Sequence, residues 1–201
     1  GLPFFEKVVE LQVRHAGGKR IENAFQTNGT LLTDEWCAFL KTNGFLVGVS
    51  IDGPKELHDA YRVDRKGQPT YRKVVRGIEL CKKHGVEFNT LTVVNARNVH
   101  KPLEVYRFLR EIGSQFIQFI PLVERRADSA SNQLGLGLSH PPDLLKRGTL
   151  DFQPEVTEWS VSPRALGEFY CKIFDRWVGR DIGKVYVQLF DVTLGKWVGA
   201  P

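Results

Sequence analysis

Methionine is absent from this 201-residue chain, and cysteine occurs only at Cys37, Cys81 and Cys171. The three cysteines lie too far apart for the C-x-x-C spacing of a zinc or redox site. An odd cysteine count without a disulfide framework fits a reducing, cytoplasmic compartment. Each cysteine lies in a helix-like apolar segment, where we expect a small core residue. The missing initiator methionine is expected of a chain that begins inside a longer protein.

Long apolar runs and dense charge of one sign are also lacking. No segment approaches the apolar length of a membrane span, and the first ten residues lack the basic start and apolar run of a signal peptide. The net charge of +5 is mild and spread along the chain. Short basic pairs such as Lys82-Lys83 therefore indicate solvated helix faces rather than a nucleic-acid surface. We expect a one-domain protein without a membrane or nucleic-acid partner.

Helix-like segments alternate with short apolar strands along most of the chain. Helices are predicted over 4–15, 33–43, 70–84, 98–112, 162–178 and 192–198, and strands over 21–26, 45–49, 86–94, 116–120 and 184–190. Alternation at this spacing indicates repeated βα units and a parallel sheet. Residues 123–161 show no clear period, and a segment of this length is expected to be either a lid or binding segment or a flexible insertion.

Candidate site residues cluster where predicted strands end. The apolar strand that begins at Phe45 ends at Ser50 and is followed by the turn Asp52-Gly53-Pro54. Ligand sites in parallel α/β folds collect at the carboxyl ends of strands, although an ordinary βα loop is the alternative. Asn28 follows another strand and is expected at the same mouth, or in a plain turn. Asp191 stands at the predicted end of the last strand and could cap the next helix.

Five phrases together resemble one family, the anaerobic sulfatase-maturating enzymes. They are QTNGTLLTDEW at 26–36, FLVGVSIDGPKELHDAYR at 45–62, KHGVEFNTLTVVN at 83–95, QFIPLVE at 118–124 and YVQLFD at 186–191. These enzymes are radical S-adenosylmethionine (SAM) proteins with a C-terminal SPASM extension. The resemblance implies an α/β fold, a partial (β/α)6 TIM-like barrel. The family's C-x3-C-x2-C, G-G-E-P and SPASM cysteine motifs are absent here. We therefore expect a radical SAM core over 1–201, truncated at both ends, with 185–201 leading into a missing SPASM domain.

The resemblance also implies roles for individual residues. Ser50 matches the serine that bonds the SAM ribose or carboxylate, and Arg62 matches the arginine that grips the carboxylate with its planar fork. Leu122 fits the hydrophobic position near the adenine, and Asn28 is expected to help hold the cofactor. Asp191 corresponds to the aspartate that acts as a base on the substrate.

The activity implied is oxidation of a Cys or Ser in a sulfatase C/S-x-P-x-R motif to formylglycine. SAM and [4Fe-4S] clusters would be the cofactors, and flavodoxin or ferredoxin the electron donor. Because cluster ligands are absent from these residues, we expect the chain alone to be inactive. Another SPASM-type peptide modifier, for example a thioether-forming enzyme, and an inert SAM-binding truncation are the alternatives. His58 and His84 are expected at the surface rather than as metal ligands.

Overall fold

The computed structural model describes residues 1–127, 129–138 and 156–199. Its helices are α1 Leu2–His15, α2 Asp34–Thr42, α3 Lys55–His58, α4 Tyr71–His84, α5 Pro102–Glu111, α6 Ser129–Gln133, α7 Pro163–Val178 and α8 Gln188–Trp197. Its strands are β1 Asn23–Thr27, β2 Phe45–Ser50, β3 Phe88–Val94, β4 Phe116–Pro121 and β5 Tyr186–Val187.

The five strands form one parallel sheet in the order β1-β2-β3-β4-β5. One row of paired residues crosses all of it: Thr27, Val49, Thr90, Ile117 and Val187. The face that carries this row packs against the helices in a single apolar core. The α/β fold with a parallel sheet is thus confirmed, and a sheet with helices on one face is consistent with part of a (β/α) barrel.

Local chemistry explains several of the element ends. Thr33 precedes α2, and its hydroxyl accepts a hydrogen bond from the Trp36 N–H at 3.3 Å. Gly85 ends α4 in the left-handed region, with φ of 65°, a conformation that costs glycine little. The helix predicted over 98–112 is instead a 3-10 turn at Asn98–His100 followed by α5. Pro102 explains the break, because it lacks an N–H and disfavours helical backbone at Lys101.

The strand predicted over 184–190 is wrong beyond Val187. The chain enters α8 at Gln188, so Asp191 lies in the first turn of a helix rather than after a strand. The apolar residues that suggested a strand also fit a helical face. Phe190 is buried against the rings of Phe174 and Trp177, and this packing selects the helix.

Two of the three cysteines occupy the core as predicted. Cys37 and Cys81 are fully buried, whereas Cys171 on α7 is exposed, so the core prediction for Cys171 is wrong. Position 171 follows the buried Phe169 by two residues, which turns it toward the outer side of the helix. None of the described helices is long and apolar enough to cross a membrane.

The two described ends of the segment predicted as irregular pair with each other. The Thr157 N–H donates to the Glu124 carbonyl at 2.9 Å, and the Val161 N–H donates to the Leu122 carbonyl at 2.9 Å. The indole of Trp159 also donates to the Glu124 carboxylate at 2.5 Å. Residue 128 and residues 139–155, on which much of that prediction falls, lie outside the described residues.

Candidate functional site

The sheet register brings Asn28 and Ser50 together at the carboxyl edge. Thr27 pairs with Val49, so the next residues, Asn28 and Ser50, are neighbours on the face opposite the helices. Ser50 in turn pairs with Leu91 of β3. This arrangement places two predicted site residues in one row where parallel strands end.

Arg62 is held by Asp52 in a two-pronged ion pair. The guanidinium donates from Nε to Asp52 Oδ2 at 2.5 Å and from Nη2 to Oδ1 at 3.1 Å. Asp52 Oδ1 also accepts the Val93 N–H at 2.9 Å. The Asp52 side chain is only 4% exposed, whereas that of Arg62 is 26% exposed. Because arginine has five N–H donors, the partly exposed guanidinium keeps donors for a second carboxylate.

His58 lies beneath this pair and is fully buried, so its prediction as a surface residue is wrong. Its Nδ1 accepts the Asp52 N–H at 3.3 Å, and its Nε2 lies 3.1 Å from Thr70 Oγ1. Thr70 donates its own hydroxyl hydrogen to the Arg62 carbonyl at 2.8 Å. Nε2 must therefore carry the proton, which defines a neutral tautomer. Desolvation by burial lowers the pKa of His58 and so favours that form.

Sequence patterns missed the role of Asp52, which had been interpreted only as a turn cap. Its backbone is fixed as well, because the Asn98 Nδ2 donates to the Asp52 carbonyl at 3.1 Å and to the Val93 carbonyl at 2.8 Å. Asp52 and Arg62 are ten residues apart, and Asn98 is much further along the chain. Only an acid followed by an arginine across a predicted turn could have hinted at the pair.

The remaining predicted residues are placed less tightly. Asn28 is exposed, and its Oδ1 accepts from the N–H and hydroxyl of Thr30 at 3.1 and 2.9 Å, which closes a local turn. Its amide NH2 remains available to a ligand. The half-buried Leu122 directly follows β4 and donates its N–H to the Val94 carbonyl. Within the described residues, no printed side-chain bond engages the Ser50 hydroxyl, which is likewise half-buried.

Asp191 is half-buried, and its carboxylate points back to the start of α8. Oδ2 accepts the Val187 N–H at 2.7 Å, so this oxygen satisfies a main-chain donor at the helix N-terminus. Burial raises the pKa of the Asp191 carboxyl above its ordinary value, and the hydrogen bond from Val187 opposes that rise. The second oxygen is left for another proton donor. The cap predicted as an alternative for this residue is therefore present, in a helix that begins earlier than expected.

Comparison with known proteins identifies the class. The family model of the radical SAM superfamily matches residues 1–109, and the chain therefore belongs to that superfamily.

Among individual proteins, the chain is 49% identical over 198 residues to the serine-type anaerobic sulfatase-maturating enzyme of Bacteroides thetaiotaomicron, covering 98% of this chain and 45% of that protein. It is 39% identical over 189 residues to the serine-type enzyme of Klebsiella aerogenes, covering 93% of this chain and 40% of that protein. The solved structure described as native anSMEcpe with bound AdoMet and Cp18Cys peptide matches with a TM-score of 0.79 and 35% identity, over 97% of this chain and 48% of that one. The chain thus spans about half the length of the relatives that it matches.

The residues present fit SAM but not an iron–sulfur cluster. Arg62 retains donors suited to a carboxylate, and Ser50 beside Asn28 offers a hydroxyl that both donates and accepts. The described residues contain no group of three His, Cys, Asp or Glu side chains that could hold a metal. Cys37 and Cys81 are buried in the core, and Cys171 is on a different helix. No step of the chemistry can be derived through a cluster bound by this part of the chain.

Proposed function

We propose that this chain is the SAM-binding core of an enzyme that oxidises a Cys or Ser in a sulfatase C/S-x-P-x-R motif to formylglycine. The observation that carries the proposal is the held guanidinium of Arg62 beside Ser50, at the carboxyl edge of the sheet. The similarity to sulfatase-maturating enzymes along 98% of the chain supports the choice of substrate.

In this proposal, SAM supplies the hydrogen-abstracting chemistry when it is bound beside a reduced [4Fe-4S] cluster held elsewhere in the full-length protein. Arg62 binds the carboxylate of SAM through donors that Asp52 does not use, and Ser50 bonds its ribose or carboxylate. Leu122 contacts the adenine, and Asn28 donates its free amide to the same ligand. The fixed Asp52 carboxylate keeps the guanidinium in one orientation, so little side-chain entropy is lost on binding.

Asp191 acts as the base on the substrate. After the target β-carbon loses a hydrogen atom, it must lose an electron, and its hydroxyl or thiol must lose a proton. A serine then gives the aldehyde directly, and a cysteine gives a thioaldehyde that water hydrolyses. The oxygen of Asp191 that does not bond Val187 accepts the proton, and the raised pKa of the half-buried carboxyl makes it a better base.

The full-length enzyme works in the cytoplasm on a sulfatase polypeptide, with flavodoxin or ferredoxin as its electron donor. The similarity to enzymes of this type supports a peptide substrate, and the solved relative was described with a bound peptide. The buried, unpaired Cys37 and Cys81 are in keeping with a reducing compartment. Residues 185–201 lead into the SPASM domain, and 123–161 form a lid or insertion at the mouth.

The test is to reconstitute the full-length protein with iron and sulfide and to incubate it with SAM, a reductant and a C/S-x-P-x-R peptide. Formation of an aldehyde that reacts with a hydrazide is expected, and a peptide with Ala at the target position is the control. SAM cleavage with a thioether product would favour the other SPASM-type activity. Absence of SAM binding and cleavage in the reconstituted protein would identify an inert remnant.

A further inference from the structure

Two amide side chains lean over a glycine on the open face of the sheet. Gln26 of β1 and Asn89 of β3 are the register partners of Gly48 in β2. A Cβ at position 48 would lie 3.1 Å from Asn89 Oδ1, 3.2 Å from Gln26 Cγ and 2.6 Å from Leu91 Cδ1. Only glycine allows these side chains to approach each other across the strand. Together they line a cavity of about 340 Å³.

Asn89 has a buried oxygen without a partner. Its Oδ1 is removed from solvent and accepts no hydrogen bond from the described residues. Buried polar atoms in proteins are almost always paired, so an orphan oxygen indicates a missing donor. Asn89 also lines a second cavity of about 260 Å³ toward β4 and β5. The oxygen therefore stands between two spaces that a ligand could enter.

The lining of both cavities selects an uncharged polar ligand. Gln118 and Gln188 line the second cavity with Asn89, so four amides share this face with apolar side chains such as Leu46 and Phe116. No lysine or arginine of the described chain lines either cavity, and Glu87 is the one carboxylate. An amide presents one acceptor oxygen and an NH2 donor. This pair matches the N–H and C=O of a peptide group better than any charged group.

The amide row lies deeper than the row proposed to hold SAM. Gly48 precedes Ser50 by two residues in β2, which places the row of Gln26, Gly48 and Asn89 about 7 Å nearer the amino ends of the strands. The Arg62 fork extends the site at the opposite, carboxyl side. A ligand at Asn89 is thus separate from the groups that bind the SAM carboxylate.

We propose that Asn89, opposed by Gln26 across Gly48, binds a main-chain amide of the peptide substrate next to its target residue. Asn89 Oδ1 accepts the peptide N–H, and Nδ2 is placed to donate to a peptide carbonyl. Peptide recognition at this point does not depend on side-chain identity, so it sets the depth to which the extended substrate enters. The inference rests on the proposed function, because it requires a peptide substrate.

The experiment measures binding of a fluorescent C/S-x-P-x-R peptide to the full-length protein with SAM present. Asn89→Leu, which keeps the size but removes both polar atoms, is expected to raise the peptide Kd about tenfold or more. Asn89→Asp keeps the acceptor and is expected to weaken binding less. SAM affinity and SAM cleavage without peptide should change less than about twofold. Gln68→Leu, at an exposed position on a surface turn, is the control for an amide removed elsewhere.

Peptides carrying a single N-methyl group identify the donor, and this measurement does not require a mutant to fold. One N-methyl position beside the target should weaken binding to the unchanged protein, and its penalty should disappear in Asn89→Asp or Asn89→Leu, whichever is folded by thermal melting. Peptide binding that is unaffected by the Asn89 variants would overturn the inference and leave the orphan oxygen to a buried water. An equal loss of SAM affinity would also overturn it, by placing the amide in the cofactor site. Failure of the unchanged protein to bind SAM or peptide would instead refute the proposed function.

Discussion

Replacing Asp52 with asparagine tests whether the ion pair with Arg62 organises the site. The carboxylate accepts two bonds from Arg62 and one from the Val93 N–H, and Asp52→Asn leaves one acceptor oxygen for these three donors. Breaking a buried ion pair costs about 3–5 kcal/mol. Because the Arg62 side chain is 26% exposed, water partly compensates it. We therefore expect the free energy of unfolding to fall by about 2–4 kcal/mol.

Chemical denaturation of the purified full-length protein, followed by circular dichroism, measures this change. Glu10→Gln is the matched control, because Glu10 pairs with two basic side chains, Lys7 and Arg14, at the surface; it should cost no more than about 1 kcal/mol. A double-mutant cycle with Arg62→Gln should give a coupling free energy of about 1.5 kcal/mol or more. An Asp52→Asn cost no larger than that of Glu10→Gln, or a coupling near zero, would refute the argument.

Three further predictions follow from the same contacts. Asp191→Asn in the full-length enzyme should leave SAM cleavage largely intact but abolish formylglycine formation, and the acid limb of the unchanged enzyme should lie above the ordinary aspartate range because burial raises the pKa of Asp191; equal loss of both activities would indicate a structural role. Burial lowers the pKa of His58 below its unfolded value, so the unfolded state binds the proton first and stability should decline as pH falls through about 6.5; His58→Gln should flatten that decline in denaturation curves, and an unchanged slope would contradict the neutral tautomer. The 201 residues alone should bind no stoichiometric iron on anaerobic reconstitution, since their described part holds no ligand cluster; a [4Fe-4S] absorption spectrum would contradict this.

Short-range patterns were sufficient for most of the fold. The period of apolar residues predicted α2, α4 and α7 and the strands β2, β3 and β4 to within a few residues, because burial of one face is written directly into residue spacing. Caps such as Thr33 and Gly85 act through backbone groups within one helical turn, so the sequence shows them as well. The resemblance on quoted motifs supplied the family and a partial barrel.

Prediction failed where a long-range contact overrode a local pattern. The run around Phe190 fits a strand or a helix equally, and its packing against Phe174 and Trp177 decided for the helix. His58 looks like a surface residue in a charged segment, yet its ring satisfies both the Asp52 N–H and Thr70. A polar residue is buried only when partners are present, and those partners are distant in sequence.

The sequence by itself therefore determined the order of helices and strands, the strand ends at which Asn28 and Ser50 stand, and the resemblance to one family. Only the tertiary structure decided that Asp52 holds Arg62 and that Asp191 begins a helix. It also decided that Asn89 faces Gln26 with an unpaired oxygen. The register of a parallel sheet joins residues that are tens of positions apart, and no local preference of the chain encodes which of them will meet.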